Sequence, residues 1–307
     1  MPPPRIVTLD LVDRDLPPDD WQALAELGPV VCARRGDPDL PLHLADADAV
    51  LVQLGVRVDG ALLARAPKLR YVGVFGTSMG HIDLAACAAR GVVVRNVPGF
   101  STEAVAELAV AITLDHLRGL TDARGRAARG DLAETPHLGR ELRDLRVGIV
   151  GRGAIGSRVA SILGAGFGAD VRHWSRTTRA EHAAHAMTLD ALLGRSEVLS
   201  VHLALTDETR GLLDRPRIAG IPRGALLVHL SPLELLDLDA LIERLREGSL
   251  WLATDHGDEL APETLAILRS LEHCILYPPI GYATERAHDA RARGLLAGLR
   301  DALSSPR

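Results

Sequence analysis

Short runs of apolar, often β-branched residues alternate with longer segments rich in alanine and leucine along almost the whole chain. This alternation is typical of α/β proteins, in which helices cover both faces of a parallel sheet. Buried strands are predicted at residues 5–10, 30–34, 49–55, 69–76 and 92–96, and again at 145–151, 171–175, 198–203, 225–230, 250–255 and 274–279. Helices are predicted at 19–27, 59–66, 82–90 and 102–120, and a polar stretch follows at 121–143. The pattern predicts two sheet units joined near residue 100, with a last helix at 284–304 that packs back on the first.

Composition excludes several classes of function. The net charge of −5 leaves no basic excess to neutralise nucleic-acid phosphates, and no apolar run reaches the ~18 residues of a membrane span. The first residues show no secretory signal, and three scattered cysteines (Cys32, Cys87 and Cys274) are typical of buried thiols in a reducing cytoplasm. The 12 histidines have no metal-ligand spacing, so we expect no metal site. Lys68 is the single lysine and is predicted on a surface loop, which argues against Schiff-base chemistry.

A glycine-rich motif lies between a predicted strand and a predicted helix. The strand VGIV (147–150) runs into GRGAIG (151–156), and a helical pattern follows at 157–163. In such a motif the first glycine permits a tight turn, the second lets backbone N–H groups approach a pyrophosphate, and the third lets helix and strand pack closely. The helix N-terminus adds donors and partial positive charge. We therefore predict a dinucleotide site at Gly151, Arg152, Gly153, Ala154, Ile155 and Gly156.

The residues after the next strand bear on the choice between NAD(H) and NADP(H). NAD sites usually place a carboxylate there, about 20 residues beyond the glycines, to accept from the ribose 2′-hydroxyl. Here the stretch 173–179 reads HWSRTTR, with hydroxyls and arginines and no carboxylate at the tip. Arginines bind a 2′-phosphate through charge-assisted hydrogen bonds, although in so arginine-rich a chain they are also ordinary surface residues. We predict NADP(H) over NAD(H), held by Ser175, Arg176, Thr177 and Arg179.

Further motifs, in order along the chain, resemble those of the D-isomer-specific 2-hydroxyacid dehydrogenase family. They are GTSMGHID at 76–83, NVPG at 96–99 with VAE at 105–107, GREL at 139–142, and VHL, LT and ETRG within 201–211. The resemblance implies two Rossmann-like, doubly wound parallel-sheet domains with a cleft between them. We expect a flavodoxin-like substrate domain at residues 1–98 and 284–307 and a dinucleotide-binding domain at 99–283. The resemblance also implies NAD(P)-dependent oxidoreductase activity, a homodimer formed through the helix at 102–120, and cofactor contacts from Thr102, His202, Thr206 and Asp255.

The positions that carry catalysis in that family are altered here. The family's substrate-clamping arginine corresponds to Pro232, its general acid/base histidine to Pro279, and its glutamate to Leu260, the residue after Glu259. Proline has neither a side-chain donor nor a titratable group, so neither replacement keeps the chemistry. Asp255, which the family uses at the nicotinamide carboxamide, is retained. The chain thus lacks the substrate-side groups and keeps the cofactor-side groups.

Two functions remain open from the sequence. The first is a reductase of a non-standard substrate, such as an imine or an enone, which needs neither the arginine clamp nor a strong acid. The second is a module that binds NADP(H) without turnover and senses the cofactor or binds a partner. Ordinary 2-hydroxyacid dehydrogenation ranks below both.

Candidate catalytic side chains lie at predicted strand ends and loops. His256 and His229 rank first, because each follows a strand and is flanked by carboxylates that raise a histidine pKa. The remaining candidates are Glu259, Ser78, His81, Glu234 and Tyr282. Aromatic residues on segments expected to border the cleft predict an apolar pocket: Phe75, Phe100, Tyr277 and Tyr282.

Overall fold

The computed structural model describes residues 2–134, 138–143, 145–177 and 179–304. The chain divides into two compact units. Unit 1 is formed by Met1–Ser101 with Ala283–Arg307, and unit 2 by Thr102–Tyr282. Each unit is a parallel sheet with helices on its faces, so the predicted α/β class with two doubly wound sheets is confirmed.

Unit 1 contains a five-stranded parallel sheet in the order β2-β1-β3-β4-β5, the flavodoxin-like order. Its strands are β1 (Ile6–Leu9), β2 (Val30–Ala33), β3 (Ala49–Val52), β4 (Tyr71–Val74) and β5 (Val93–Arg95). Its helices are α1 (Pro18–Leu27), α2 (Leu40–Ala45), α3 (Gly60–Arg65), α4 (Leu84–Ala89) and α12 (Glu285–Ser304). The C-terminal helix α12 packs against α1 and β4 and completes the apolar layer on one face of this sheet.

Unit 2 contains a six-stranded parallel sheet in the order β11-β10-β9-β8-β6-β7. Its strands are β6 (Arg146–Val150), β7 (Asp170–Trp174), β8 (Val198–Val201), β9 (Ala225–His229), β10 (Leu250–Thr254) and β11 (Cys274–Leu276). Its helices are α5 (Thr102–Arg118), α6 (Leu120–Ala128), α7 (Ala154–Ser161), α8 (Leu189–Arg195), α9 (Arg215–Gly220), α10 (Leu238–Arg246) and α11 (Pro262–Arg269). All six strands run in one direction, so their carboxyl ends share one edge. The strand order reverses between β6 and β8, the switch point where open α/β sheets bind ligands.

Several local predictions are wrong. The edge strands β2 and β5 are partly exposed rather than buried, because each has a neighbour on one side only, and Cys32 on β2 is exposed rather than a buried thiol. The helix predicted at 102–120 breaks at Gly119, whose φ of 59° is left-handed. The polar stretch at 121–143 begins within the helix α6, which is not predicted, and α7 starts at Ala154 rather than at residue 157. The short helix α2 was not predicted.

Candidate functional site

The turn after β6 is built around three glycines. Gly151 has a φ of 94°, and a Cβ there would lie 2.4 Å from the carbonyl oxygen of His202. A Cβ at Gly156 would lie 2.0 Å from the carbonyl oxygen of Gly151, because α7 packs directly on the turn. At Gly153, among the described residues, no atom beyond its chain neighbours lies within 4 Å of a Cβ position. The space in front of the α7 N-terminus is therefore open and fits the pyrophosphate of a dinucleotide.

A hydrogen bond joins the glycine-rich turn to the turn after β7. The backbone N–H of Arg152 donates to Ser175 Oγ at 2.7 Å. The Arg152 guanidinium turns towards β7 instead and donates to His173 Nδ1 at 3.0 Å. Burial, and then the charge of Arg152, lowers the pKa of His173 to about 4, so its ring is neutral and accepts this bond. Arg152 therefore contributes its backbone, rather than its charge, to the glycine-rich turn.

The two arginines predicted at the tip of β7 both lie against carboxylates. Arg176 forms an ion pair with Glu208, which belongs to the loop after β8, and Arg179 lies 4.0 Å from Glu181. The stretch 173–179 itself contains no carboxylate, but Glu208 reaches its tip from another loop. Sequence reasoning missed Glu208 because the contact joins residues 32 positions apart, and no local pattern encodes it.

The loop after β8 is shaped by two residues that were predicted to contact the cofactor. The His202 ring forms a hydrogen bond with Ser200 Oγ at 2.7 Å, and burial lowers the pKa of His202 to about 3. Its carbonyl oxygen faces Gly151, as described above. Further along, the N–H of Thr206 donates to Thr209 Oγ1 at 2.8 Å. In this structure His202 and Thr206 therefore hold the loop in place.

A histidine–carboxylate pair forms in the turn after β10. Glu259 folds back on His256, with 2.9 Å between Nδ1 of the ring and Oε1 of the carboxylate. Asp255 Oδ1 lies 3.7 Å from the other ring nitrogen, Nε2. Burial alone would lower the pKa of His256, but the hydrogen bond and charge of Glu259, with the charges of Asp255 and Asp258, raise it above its ordinary value. The ring is 25% exposed, so it can exchange a proton with a bound molecule.

Asp255 also anchors the segment that contains Pro279. The N–H of Gly281 donates to Asp255 Oδ2 at 2.8 Å, and a Cβ at Gly281 would lie 2.8 Å from the same oxygen. Pro279 itself is exposed and adds no donor. The polar chemistry at this part of the sheet edge therefore comes from the residues that follow β10.

In the structure His229 is not positioned to transfer a proton to a substrate. His229 is fully buried at the end of β9, and its Nε2–H donates to the carbonyl oxygen of Pro232 at 3.1 Å. Burial lowers the pKa of His229 to about 4, so the expectation that nearby carboxylates raise it is wrong. Glu234, one of those carboxylates, is exposed. His229 instead supports the backbone at Pro232.

In unit 1 the candidate residues follow β4. Ser78 is exposed, whereas His81 is partly buried, and burial lowers the pKa of His81. Phe75 is fully buried in the core with the Arg291 guanidinium 3.9 Å from its ring centroid, and Phe100 packs against the same core. Phe75 therefore belongs to the core of unit 1.

The remaining candidates are dispersed over unit 2. Thr102 is the first residue of α5, and Tyr282, the last residue of the unit, is 39% exposed. Ile155 packs against the core under the sheet. Thr177 is exposed, and Thr178 lies outside the described residues.

Along the described part of the chain, no helix combines the length and apolar character needed to cross a bilayer. Within the same ranges, no three His, Cys, Asp or Glu side chains are grouped so that they could hold a metal ion. Lys68 is exposed, as predicted, and its Nζ lies 2.7 Å from Asp46 Oδ1.

Comparison with known proteins agrees with this geometry. Residues 110–281 match the family model described as D-isomer specific 2-hydroxyacid dehydrogenase, NAD binding domain. The chain is 33% identical to a D-3-phosphoglycerate dehydrogenase of Mycobacterium leprae over 92% of its own length, but it spans only 54% of that protein. It is 36% identical to a glyoxylate reductase of Aeropyrum pernix, with 78% of this chain and 75% of the relative covered.

A solved structure is similar over nearly the whole chain. It is an NADPH-dependent glyoxylate/hydroxypyruvate reductase from Sinorhizobium meliloti, in complex with NADP and malonate. The similarity has a TM-score of 0.85 at 25% identity and covers 99% of this chain and 94% of the other.

Proposed function

This chain belongs to the D-isomer specific 2-hydroxyacid dehydrogenase family, and from that premise we propose that it is an NADP(H)-dependent reductase with His256 and Glu259 as its acid/base pair. The observation that carries the proposal is the 2.9 Å contact between His256 Nδ1 and Glu259 Oε1. The pair lies at the carboxyl edge of the same sheet that bears the glycine-rich turn. NADPH, when bound, supplies a hydride. The glycine-rich turn binds the pyrophosphate, and His256 supplies the proton.

The spacing along the sheet edge supports this division of labour. β10 is the third strand from β6, so at ~4.8 Å per strand the two sites lie about 14 Å apart along the edge. The glycine-rich turn can then hold the pyrophosphate while the acid/base pair serves the reactive end of an extended dinucleotide. Asp255, next to His256, is the residue we propose for the nicotinamide carboxamide.

The proton comes from a defined atom. Nδ1 of His256 is paired with the carboxylate of Glu259. Nε2 lies 3.7 Å from Asp255 Oδ1, which is beyond hydrogen-bond distance. Nε2–H is therefore the donor that can reach a substrate. The carboxylate of Glu259 orients the ring and stabilises its protonated form, and the raised pKa of His256 favours that form near neutral pH.

The charges at the site favour a substrate without a carboxylate. Pro232 supplies no cation, and its carbonyl oxygen is engaged by His229. Around His256 the charged neighbours are the carboxylates of Asp255, Asp258 and Glu259. The single positive charge of protonated His256 is outnumbered by these three carboxylates, so a 2-oxo acid would meet net negative charge, whereas a neutral enone or a cationic iminium would avoid the repulsion. We therefore propose an imine or an enone as the substrate class.

The proposed preference for NADP(H) rests on the turn after β7. Ser175 presents a hydroxyl beside the glycine-rich turn, and the side chains of Arg176 and Arg179 are 58% and 74% exposed there. A 2′-phosphate would gain charge-assisted hydrogen bonds from these arginines. The Sinorhizobium meliloti relative, which was solved with NADP, makes such a preference reasonable for this family.

We also propose that unit 1 binds the substrate and that unit 2 binds the dinucleotide.

We propose further that the protein is a homodimer formed through α5. Exposed leucines follow α5 in the chain: Leu120 (53%), Leu132 (84%) and Leu138 (87%). Leu138 and Trp251 line a cavity of about 740 Å³ beside the end of that helix. Exposed apolar side chains beside a cavity on the same chain allow two copies to exchange contacts symmetrically. Sedimentation equilibrium of the wild type and of L138D tests this, and a monomeric wild type would refute it.

Turnover assays test the catalytic proposal. The purified protein is incubated with NADPH and, in turn, a cyclic imine, an enone and a 2-oxo acid, and loss of absorbance at the nicotinamide band is followed. We expect turnover of the imine or the enone, and a loss of at least about a hundredfold in enone turnover for H256Q. Ordinary rates with the 2-oxo acid would refute the substrate class. Tight NADPH binding without turnover of any compound would instead favour the non-catalytic module.

A further inference from the structure

The ion pair between Arg176 and Glu208 crosses the predicted dinucleotide groove. Arg176 follows β7 and Glu208 belongs to the loop after β8, and these strands flank β6 on its two sides. A contact between the two side chains must therefore pass across the carboxyl end of β6, where the glycine-rich turn begins. We call this ion pair the strap.

Both ends of the strap are attached to fixed backbone. On one side, Ser175 accepts the N–H of Arg152 at 2.7 Å, which ties the Arg176 turn to the glycine-rich turn. On the other side, the buried Thr209 donates through Oγ1 to the carbonyl oxygen of Ala204 at 2.7 Å and fixes the loop beside Glu208. The charged side chains themselves are 58% and 70% exposed. The backbone thus positions the two charges, while the contact between them remains easy to exchange.

A 2′-phosphate and Glu208 require the same guanidinium. Exposed ion pairs contribute little free energy, whereas arginine binds a phosphate through stronger, often bidentate, hydrogen bonds. NADP(H) can therefore replace the Arg176–Glu208 contact with a better one. NAD(H) offers only a neutral 2′-hydroxyl at this position, which has no charge with which to displace the carboxylate.

We propose that Glu208 is a specificity-determining residue that competes with the 2′-phosphate for Arg176 and so limits the preference for NADP(H). This inference rests on the proposed use of NADP(H). Because the competition is electrostatic, it acts on the dinucleotide that carries the phosphate and leaves the other almost unaffected.

Equilibrium binding of NADPH and NADH to the purified protein, measured by nicotinamide fluorescence at constant salt, tests the inference. E208Q is expected to lower the Kd of NADPH about fivefold, equivalent to about 1 kcal/mol, and to change the Kd of NADH by less than twofold. R176Q is expected to raise the Kd of NADPH at least tenfold and to leave that of NADH unchanged. In the R176Q background, E208Q should not change the Kd of NADPH further, because the guanidinium for which Glu208 and the 2′-phosphate compete is absent.

Glu243→Gln is the matched control. Glu243 pairs with Arg215 elsewhere in unit 2, both side chains are about half exposed, and the substitution removes the same charge. It should leave both Kd values unchanged.

An unchanged or weaker NADPH affinity in E208Q, or equal tightening for NADPH and NADH, would overturn the inference while leaving the proposed cofactor in place. Failure of the wild type to bind NADPH would overturn both.

Discussion

Replacing Glu259 by glutamine tests the acid/base pair most directly. The substitution keeps the size of the side chain and removes its charge. In the structure its carboxylate lies 2.9 Å from Nδ1 of His256 and is 44% exposed. We expect the pKa of His256 to fall, because the burial that opposes the protonated ring would then be offset only by Asp255 and Asp258.

The size and the pH dependence of the effect follow from the geometry. A hydrogen bond to a charged group contributes about 1.5–3 kcal/mol, and the exposure of Glu259 reduces this to about 1 kcal/mol. The folded-state pKa of His256 is raised, so this stabilisation is fully present below the unfolded value of about 6.5 and is lost as pH rises through the folded-state pKa. E259Q should therefore lower the free energy of unfolding by about 1 kcal/mol at roughly pH 5.5 and by almost nothing at roughly pH 9.

Two measurements check this expectation. An NMR titration of the His256 ring compares its pKa in the wild type and in E259Q, and urea unfolding compares the two proteins at both pH values. As a control, E259Q introduced into an H256N background should show no pH-dependent cost. If the pKa of His256 does not fall, or if the cost is the same at both pH values, the pair is not charged and our assignment of His256 as the acid is wrong.

Other substitutions test neighbouring parts of the site. G156A would place a Cβ 2.0 Å from Gly151 O. We expect it to lower the free energy of unfolding by about 1–3 kcal/mol, measured by thermal unfolding, and to weaken NADPH binding, measured by fluorescence; wild-type behaviour would contradict the close packing. Burial holds the pKa of His229 at about 4 and that of His202 at about 3, so the unfolded chain binds more protons and stability falls as pH drops from about 6.5 to 4. Urea unfolding over that pH range compares the loss of unfolding free energy in the two proteins. The loss should be smaller in H229Q than in the wild type by on the order of 3 kcal/mol, and equal losses would mean that His229 is exposed to solvent. P232R keeps a backbone conformation (φ −54°, ψ 134°) that arginine readily adopts, and we expect at least a tenfold gain in kcat/KM for glyoxylate. Unchanged glyoxylate kinetics would mean that the missing cation is not what excludes 2-oxo acids.

The sheets could be predicted because their central strands are continuous apolar runs bounded by turn residues. β3 and β8, for example, are buried along their whole length and were found from that pattern alone. The same pattern cannot separate a central strand from an edge strand. β5 is equally rich in valine, yet its partial exposure depends on having a neighbour on one side only, which is a property of the sheet. Local patterns therefore locate the strands but do not distinguish the fully buried central strands from the partly exposed edge strands.

The candidate site shows the same limit at the level of single residues. The positive φ of Gly151 and the close contact of Gly156 with Gly151 O both lie within one turn, so a local motif is sufficient to predict these two features. The pairing of Glu208 with Arg176 and the burial of His229 depend on which strands are adjacent, and the sequence does not state that order. His256 and Glu259 are an intermediate case, because their spacing of three residues permits contact only when the chain between them forms a tight helical turn.

Pro232 carries no charge, and carboxylates cluster around His256. Both features act in the same electrostatic direction, and together they separate two substrate classes. An iminium ion carries its own electrophilicity, so the carboxylate of Glu259 would help to bind it and no proton from His256 would be required. An enone, in contrast, needs that proton. E259Q should therefore raise KM with little change in kcat if the substrate is an iminium. It should instead lower kcat and shift its pH profile to lower pH if the substrate is an enone, because the pKa of His256 falls when Glu259 loses its charge. A variant that changed neither parameter would show that the pair does not serve the reaction at all.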